Sequence, residues 1–175
     1  MEVRKIKVGY LETNCYILVE QDCCLIIDPG DQYYSIESQI ENKNILGILV
    51  THRHPDHIGA LDQLVKTYNP KVLDKSNLPE GEYEIGPFKF EVIYTEGHTS
   101  DSITFYFYEY NFMFTGDFLF NHSIGRTDMP TGSMDDMKKS IEKIKEYSDR
   151  IRVYPGHGDP TILGEEKQSN PFFEN

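Results

Sequence analysis

The sequence predicts a single layered α/β domain with a largely β interior, and three observations support this prediction. The chain has 175 residues, a length that suits one domain with a sizeable hydrophobic core. Short β-branched runs bounded by turn residues dominate it, and a few segments with helical spacing separate them. Hydrophobic residues make up 38% and charged residues 26%, the balance of an ordinary globular domain. We therefore treat residues 1–175 as one domain.

The predicted strands are short runs that are apolar or alternate in polarity and that end at polar or turn residues. In chain order they are residues 3–10, 15–20, 23–27, 45–50, 71–73, 82–85, 88–94, 103–108, 112–115 and 151–154. The run at 45–50 is continuously apolar, which is typical of a buried strand. The pairs 82–85 with 88–94 and 103–108 with 112–115 are close enough in sequence to form hairpins.

Three helices are predicted between the strands. Residues 33–42 and 58–68 carry apolar side chains at helical intervals, and a third helix at 133–147 begins with a serine that can cap it. A long loop at 118–132 precedes the third helix, and loops of this length are commonly functional. A polar tail follows the last strand. The alternation of strands and helices favours a layered α/β arrangement.

Charge and cysteine content narrow the class of protein. The net charge of −12 repels RNA and DNA on average, and no dense cluster of lysine and arginine counters it. The sequence has no apolar run of about eighteen residues that could cross a membrane, and its first residues lack the apolar centre of a signal peptide. The chain has three cysteines, Cys15, Cys23 and Cys24, and this odd number favours reduced thiols over disulfides. We expect a cytoplasmic protein that binds neither nucleic acid nor membrane.

Three histidines and one aspartate lie in the sequence Thr-His-Arg-His-Pro-Asp-His, directly after the buried strand and before a helix. Such strand ends are where α/β folds place ligands. Residues two apart in an extended segment point the same way, so His52 and His54 can present two imidazoles to one metal ion. The following proline turns the chain, so Asp56 and His57 can point to a second position nearby. Imidazole and carboxylate suit zinc, iron and manganese.

Three further candidates occupy matching places. His98, Asp117 and His157 each follow a predicted strand, and each has a neighbouring glycine that lets the backbone come close. A single histidine at a strand end is usually structural. Four such segments in one chain favour a metal centre instead.

The order of these motifs resembles the metallo-β-lactamase superfamily. The shared segments are the histidine-rich loop, Gly-His-Thr at 97–99, Gly-Asp at 116–117 and Pro-Gly-His-Gly at 155–158. Further segments, Ile-Asp-Pro-Gly at 27–30, Ser-Ile-Gly-Arg-Thr-Asp at 123–128 and the tail at 165–172, resemble the hydroxyacylglutathione hydrolase (glyoxalase II) family, and its short bacterial members in particular.

The resemblance implies an αββα sandwich with the site at one edge. It implies two divalent metal ions, with Zn²⁺ expected and iron or manganese as alternatives. The implied ligands are His52, His54 and His98 for the first ion, Asp56, His57 and His157 for the second, and Asp117 as a bridge between the two.

A thioester suits this chemistry. Two cations that share a water lower its pKa from about 15.7 to about 7, and the resulting hydroxide would attack a carbonyl carbon. Thiols have a pKa of about 8.5, so the thiolate of a small acyl-thiol such as a hydroxyacylglutathione can leave without a strong general acid. Asp56 would orient the hydroxide or move its proton. Arg126 and Arg53 are candidates for pairing with a substrate carboxylate, and His122 is expected at the rim, without metal.

Other functions stay open at this point. The chain could be a mononuclear iron persulfide dioxygenase, another small ester, lactone or β-lactam hydrolase of the same superfamily, or a metal-binding protein without turnover. The full set of seven ligands favours the dinuclear hydrolase. The net charge disfavours the nucleases of the superfamily.

Overall fold

Two β-sheets form the centre of the computed structural model, which describes residues 1–174. The first sheet contains, in spatial order, β1 (Glu2–Val8), β2 (Thr13–Glu20), β3 (Cys23–Ile27), β4 (Asn44–Leu49) and β5 (Val72–Leu73). The second contains, in spatial order, β13 (Thr161–Ile162), β12 (Arg152–Pro155), β9 (Phe112–Gly116), β8 (Ile103–Phe107), β7 (Phe88–Tyr94) and β6 (Gly81–Ile85). A short hairpin pairs β10 (Leu119–Phe120) with β11 (Ser123–Ile124).

The helices lie outside the sheets. They are α1 (Tyr33–Ile40), α2 (Pro55–Ile58), α3 (Leu61–Tyr68), α4 (Met134–Lys145), α5 (Leu163–Ser169) and a 3₁₀ turn at Pro171–Phe173. No helix among residues 1–174 is both long enough and apolar enough to cross a membrane.

The alternation of side chains along β2 explains the layers. Successive strand residues point to opposite faces. Ile17 and Val19 pack with the residues of α1 and α3, whereas Tyr16 and Leu18 pack against the second sheet. A third apolar cluster packs α4 on the far face of the second sheet. Helices therefore cover both outer faces of two stacked sheets, and the predicted αββα sandwich is confirmed.

Beyond shifts of a few residues at element ends, the structure differs from the sequence prediction in three places. The loop predicted at 118–132 contains the short β10–β11 hairpin. The helix predicted at 58–68 begins later, as α3, and the separate helix α2 precedes it. Helix α2 ends because the Ala60 amide donates to the Pro29 carbonyl (2.9 Å) instead of continuing the helix. The segment for which the sequence indicated only a polar tail contains β13, α5 and a 3₁₀ turn. Helix α5 buries only Leu163, Gly164 and Glu166, so it shows no apolar stripe in the sequence.

The Ser133 cap predicted from the sequence is present, since its Oγ accepts the Asp136 amide at 3.2 Å. Substitution of Ser133 by alanine removes this acceptor and should lower the free energy of unfolding by about 1 kcal/mol. Urea unfolding followed by circular dichroism measures the change. Ser133→Asn, which keeps a capping oxygen, should stay close to wild type, and equal stability of wild type and Ser133→Ala would contradict the role of the cap.

Candidate metal centre

Four strand ends bring the predicted site residues to one edge of the sandwich. The histidine-rich loop follows β4, His98 follows β7, Asp117 follows β9 and His157 follows β12. Gly156 makes this convergence feasible: a Cβ there would lie 2.2 Å from Asp117 Oδ1 and 2.7 Å from His57 Cε1. Any other residue at this position would displace the site.

Three imidazoles form the first group. His54 Nδ1 lies 3.1 Å from His52 Nε2 and 3.0 Å from His98 Nε2. Burial lowers the pKa of His52 well below its usual range, and the imidazole of His57 adds to the effect. Burial and the imidazole of His98 likewise lower the pKa of His54. Neutral imidazoles that converge on one point are the state that a metal ion requires.

A second group mixes imidazoles with carboxylates. Asp56 Oδ2 lies 3.3 Å from His157 Nε2 and 3.5 Å from His57 Nε2. Asp117 faces both groups, because its Oδ2 lies 3.4 Å from His157 Nε2 and 3.5 Å from His98 Nε2, while its Oδ1 lies 3.3 Å from His57 Nε2. The structure therefore brings together all seven residues that the sequence analysis selected.

The charges in the second group attract cations. Burial opposes protonation of His57, but the charges of Asp28 and Asp117 outweigh it and raise its pKa to about 10. Burial also opposes protonation of His157, yet hydrogen bonds with Asp117 and Asp56 raise its pKa to about 9. Without metal, both imidazoles carry a second proton and a positive charge at neutral pH. A divalent cation would take the place of those protons.

Two atoms of this group test whether a metal fits. His57 Nε2 and Asp117 Oδ1 are buried and have no hydrogen-bond partner. Buried polar atoms are nearly always paired, so an unpaired acceptor and an unpaired ring nitrogen 3.3 Å apart are unusual. A cation between them would satisfy both. The nitrogen and carboxylate donors match a divalent ion such as zinc or iron.

Each Nε2 ligand has its other ring nitrogen held by an oxygen. His98 Nδ1 contacts the Arg126 carbonyl (2.7 Å), His157 Nδ1 contacts the Leu11 carbonyl (3.1 Å), and His52 Nδ1 contacts Thr51 Oγ1 (3.1 Å). Carbonyl oxygens only accept, so they place the proton on Nδ1. With the proton on Nδ1, Nε2 is the nitrogen left to bind a metal ion, the arrangement typical of metal-binding histidines.

Asp28 orients His57 instead of acting as a ligand. Its Oδ1 accepts the Thr51 amide (2.8 Å), and its Oδ2 accepts from Thr51 Oγ1 (2.6 Å) and from His57 Nδ1 (2.9 Å). These three bonds occupy the carboxylate, although Asp28 lies within ligand distance of His52 and His57.

The sequence also suggested two arginines and one histidine near the site, and the structure shows what each of their side chains contacts. Arg53, considered for substrate binding, forms an ion pair with the buried Asp74 and does not line the cleft above the cluster. Arg126 lies at the cleft with its guanidinium on Asp128 (2.7 and 2.9 Å). His122 is exposed and contacts Ser169 Oγ at 3.1 Å, outside the residue groups that could hold a metal.

Sequence reasoning missed several residues of the site. Thr13 Oγ1 donates to Asp56 Oδ2 at 2.9 Å, and Asn14 Nδ2 donates to the carbonyls of Pro155 (3.0 Å) and Gly158 (2.9 Å) on either side of His157. Leu11 and Met129 line a cleft of about 430 Å³ that opens over the cluster. Their residue types carry no chemical signature, so only the fold reveals them.

An αββα sandwich with a histidine–aspartate cluster at one edge defines a class of metal-dependent hydrolases. The chain belongs to the metallo-β-lactamase superfamily, whose model matches residues 8–73 and 69–157. It is 33% identical over 206 residues to the probable metallo-hydrolase YqgX of Bacillus subtilis, covering 99% of this chain and 98% of that protein. It is 32% identical over 210 residues to the hydroxyacylglutathione hydrolase GloC of Haemophilus influenzae, covering 100% and 99%.

Solved structures agree with this membership. The BLEG-1 B3 metallo-beta-lactamase is 31% identical with a TM-score of 0.93, covering 99% of this chain and 100% of that one. TTHA1623 in a di-iron-bound form is 30% identical with a TM-score of 0.89, covering 97% and 100%. ETHE1 from Myxococcus xanthus is 27% identical with a TM-score of 0.90, covering 98% and 84%.

Asp28→Asn tests the orientation of His57. The new amide group disrupts the acceptor geometry that Oδ2 now offers to His57 Nδ1, and we expect a loss of metal affinity of about 10- to 100-fold with the fold retained. Zinc titration against a chromophoric chelator measures the affinity. Asp22→Asn removes the same charge at an exposed site and should bind zinc like wild type. Wild-type affinity in Asp28→Asn would contradict the role of Asp28.

Proposed function

We propose that this protein hydrolyses thioesters of small acyl-thiols, with a hydroxyacylglutathione as the model substrate, and that it uses two zinc ions. The observation that carries the proposal is the pair of ligand groups that share Asp117 beneath an open cleft. The likeness to GloC over the whole chain supports the thioester as substrate class. Two divalent ions held here would supply a nucleophilic water at neutral pH and polarise the substrate carbonyl.

Asp56 would orient that water. Its Oδ2 accepts from Thr13 Oγ1 and lies near His157 and His57, so one carboxylate oxygen is fixed by three neighbours. Hydrogen bonds from His157 and Thr13 and the charge of His57 overcome the effect of burial and lower the pKa of Asp56. It is therefore a carboxylate at neutral pH and can accept a proton only in passing.

Arg126 is the group we assign to the substrate. Among the described residues, it is the only lysine or arginine that lines the cleft. Its Nε and Nη2 donate to Asp128, and an arginine has five N–H donors, so Nη1 stays free for a carboxylate of the thiol portion. Leu11, Pro55 and Met129 supply apolar surface for the acyl portion. The cleft volume suits a small molecule.

Hydrolysis of S-lactoylglutathione by the purified protein, with metal content determined on the same sample, tests the proposal. We expect turnover that falls at least about 100-fold after chelation and returns with zinc. Arg126→Ala should raise KM about 10-fold with kcat largely kept, because it removes a charge-assisted hydrogen bond. Arg150→Ala, an exposed arginine outside the cleft, serves as the matched control.

A protein with both sites filled that leaves thioesters intact would contradict the proposal. The same samples then decide between two other chemistries. Oxygen consumption with a persulfide by iron-loaded protein would indicate the dioxygenase, an iron chemistry that the di-iron form of TTHA1623 makes worth testing. Cleavage of a chromogenic cephalosporin would indicate a β-lactamase, the activity in the name of BLEG-1.

A further inference from the structure

Glu166 is a fully buried carboxyl group in α5 that the proposed chemistry does not use. Its Oε1 accepts from Thr161 Oγ1 at 2.6 Å, and its Oε2 accepts from Asn170 Nδ2 at 2.7 Å and from the His122 amide at 2.9 Å. Burying a carboxyl group costs free energy unless it is well hydrogen-bonded. Three short bonds, one of them to another segment of the chain, show that this group holds distant parts of the chain together.

The segment it holds is the turn of the β10–β11 hairpin. His122 has a φ of 57°, a left-handed conformation that is unfavourable for a residue with a Cβ. Glu166 binds the amide of this residue, and Asn170 Nδ2 donates to the carbonyl of Ser123 at 3.1 Å. Asn170 is itself 1% exposed. Two buried side chains of the C-terminal segment therefore fix both sides of the turn.

Both ends of this hairpin reach the metal centre. Asp117 lies just before β10, and Arg126, whose carbonyl contacts His98 Nδ1 at 2.7 Å, lies just after β11. The two ends touch, since a Cβ on Gly125 would stand 1.8 Å from the Asp117 carbonyl oxygen and 3.0 Å from His98 Nδ1. A shift of the turn would therefore move the bridging carboxylate or the partner of His98.

We propose that Glu166 is a positioning residue for the metal centre. By holding the His122 turn, it fixes the hairpin whose ends present Asp117 and orient His98, so the C-terminal helix controls metal affinity from outside the cleft. This inference rests on the metal centre of the proposed function but not on the identity of the substrate.

Glu166→Gln tests this role with Glu165→Gln as the matched control. Both remove one carboxyl group from α5, but Glu165 is exposed whereas Glu166 is buried. The glutamine side chain in Glu166→Gln has only one acceptor oxygen and brings an NH₂ group among three donors. We expect zinc affinity to fall about 10-fold in Glu166→Gln, as for loss of other groups that orient ligands, and to stay at the wild-type value in Glu165→Gln. The visible spectrum of the cobalt-loaded protein should change only in Glu166→Gln.

A second measurement needs no substitution and decides the matter if Glu166→Gln fails to fold. Coupling between zinc binding and opening of the turn is reciprocal, so a turn that must stay closed for tight zinc binding should open less often with zinc bound, and exchange of the His122 amide should slow on the order of 10-fold or more. Amides of β6, at the opposite edge of the second sheet, serve as the reference. Wild-type zinc affinity and cobalt spectrum in folded Glu166→Gln, or His122 exchange unchanged by zinc, would overturn the proposal. A protein that binds zinc with full affinity but does not hydrolyse thioesters would contradict the proposed function and not the role of Glu166.

Discussion

The burial of the Asp117 carboxylate among the imidazoles of the cluster is the constraint on which the rest of the structure depends. Asp117 is 9% exposed and His57 is fully buried, so the charge on these groups cannot be left to solvent. Buried charge must be balanced locally, by protons on the imidazoles or by metal ions. The neighbouring carboxylates raise the pKa values of His57 and His157, so they stabilise positive charge at these positions. Beside them, burial lowers the pKa of His52 and of His54, which favours the neutral imidazoles that a metal ion requires.

The two sheets and the two outer helix layers hold the strand ends that carry the cluster in fixed positions. Strands β4, β7, β9 and β12 are held by apolar packing on both faces, so the loops that follow them start from rigid positions. The seven candidate ligands lie in the segments that follow these strands, Asp56 and His57 within α2, whereas Leu11, Met129 and Arg126 line the cleft from other loops. A shared fold does not by itself imply a shared function, so relatives with different names can have this fold.

The fold and the clustering of the histidines and aspartates could be predicted from the sequence because each has a signature of its own. Period-two strands define the sheets, and histidines with strict spacing after apolar runs define the cluster. The residues that orient the ligands could not be found this way. The carbonyls of Leu11 and Arg126 belong to the backbone, and Thr13 reaches Asp56 only across the sheet. Helix α5 was missed because Glu166 is buried through hydrogen bonds and not through apolar contact.

X-ray absorption spectroscopy of the zinc-loaded protein tests the central claim most directly, namely that Asp117 joins two metal ions in one centre. The structure leads us to expect two zinc ions per chain, coordination by nitrogen and oxygen alone, and a metal–metal distance of about 3.5–4 Å. One zinc ion per chain without metal–metal scattering would contradict the claim. Sulfur among the ligands would contradict it too, since Cys15 and Cys24 are buried in the core of the first sheet.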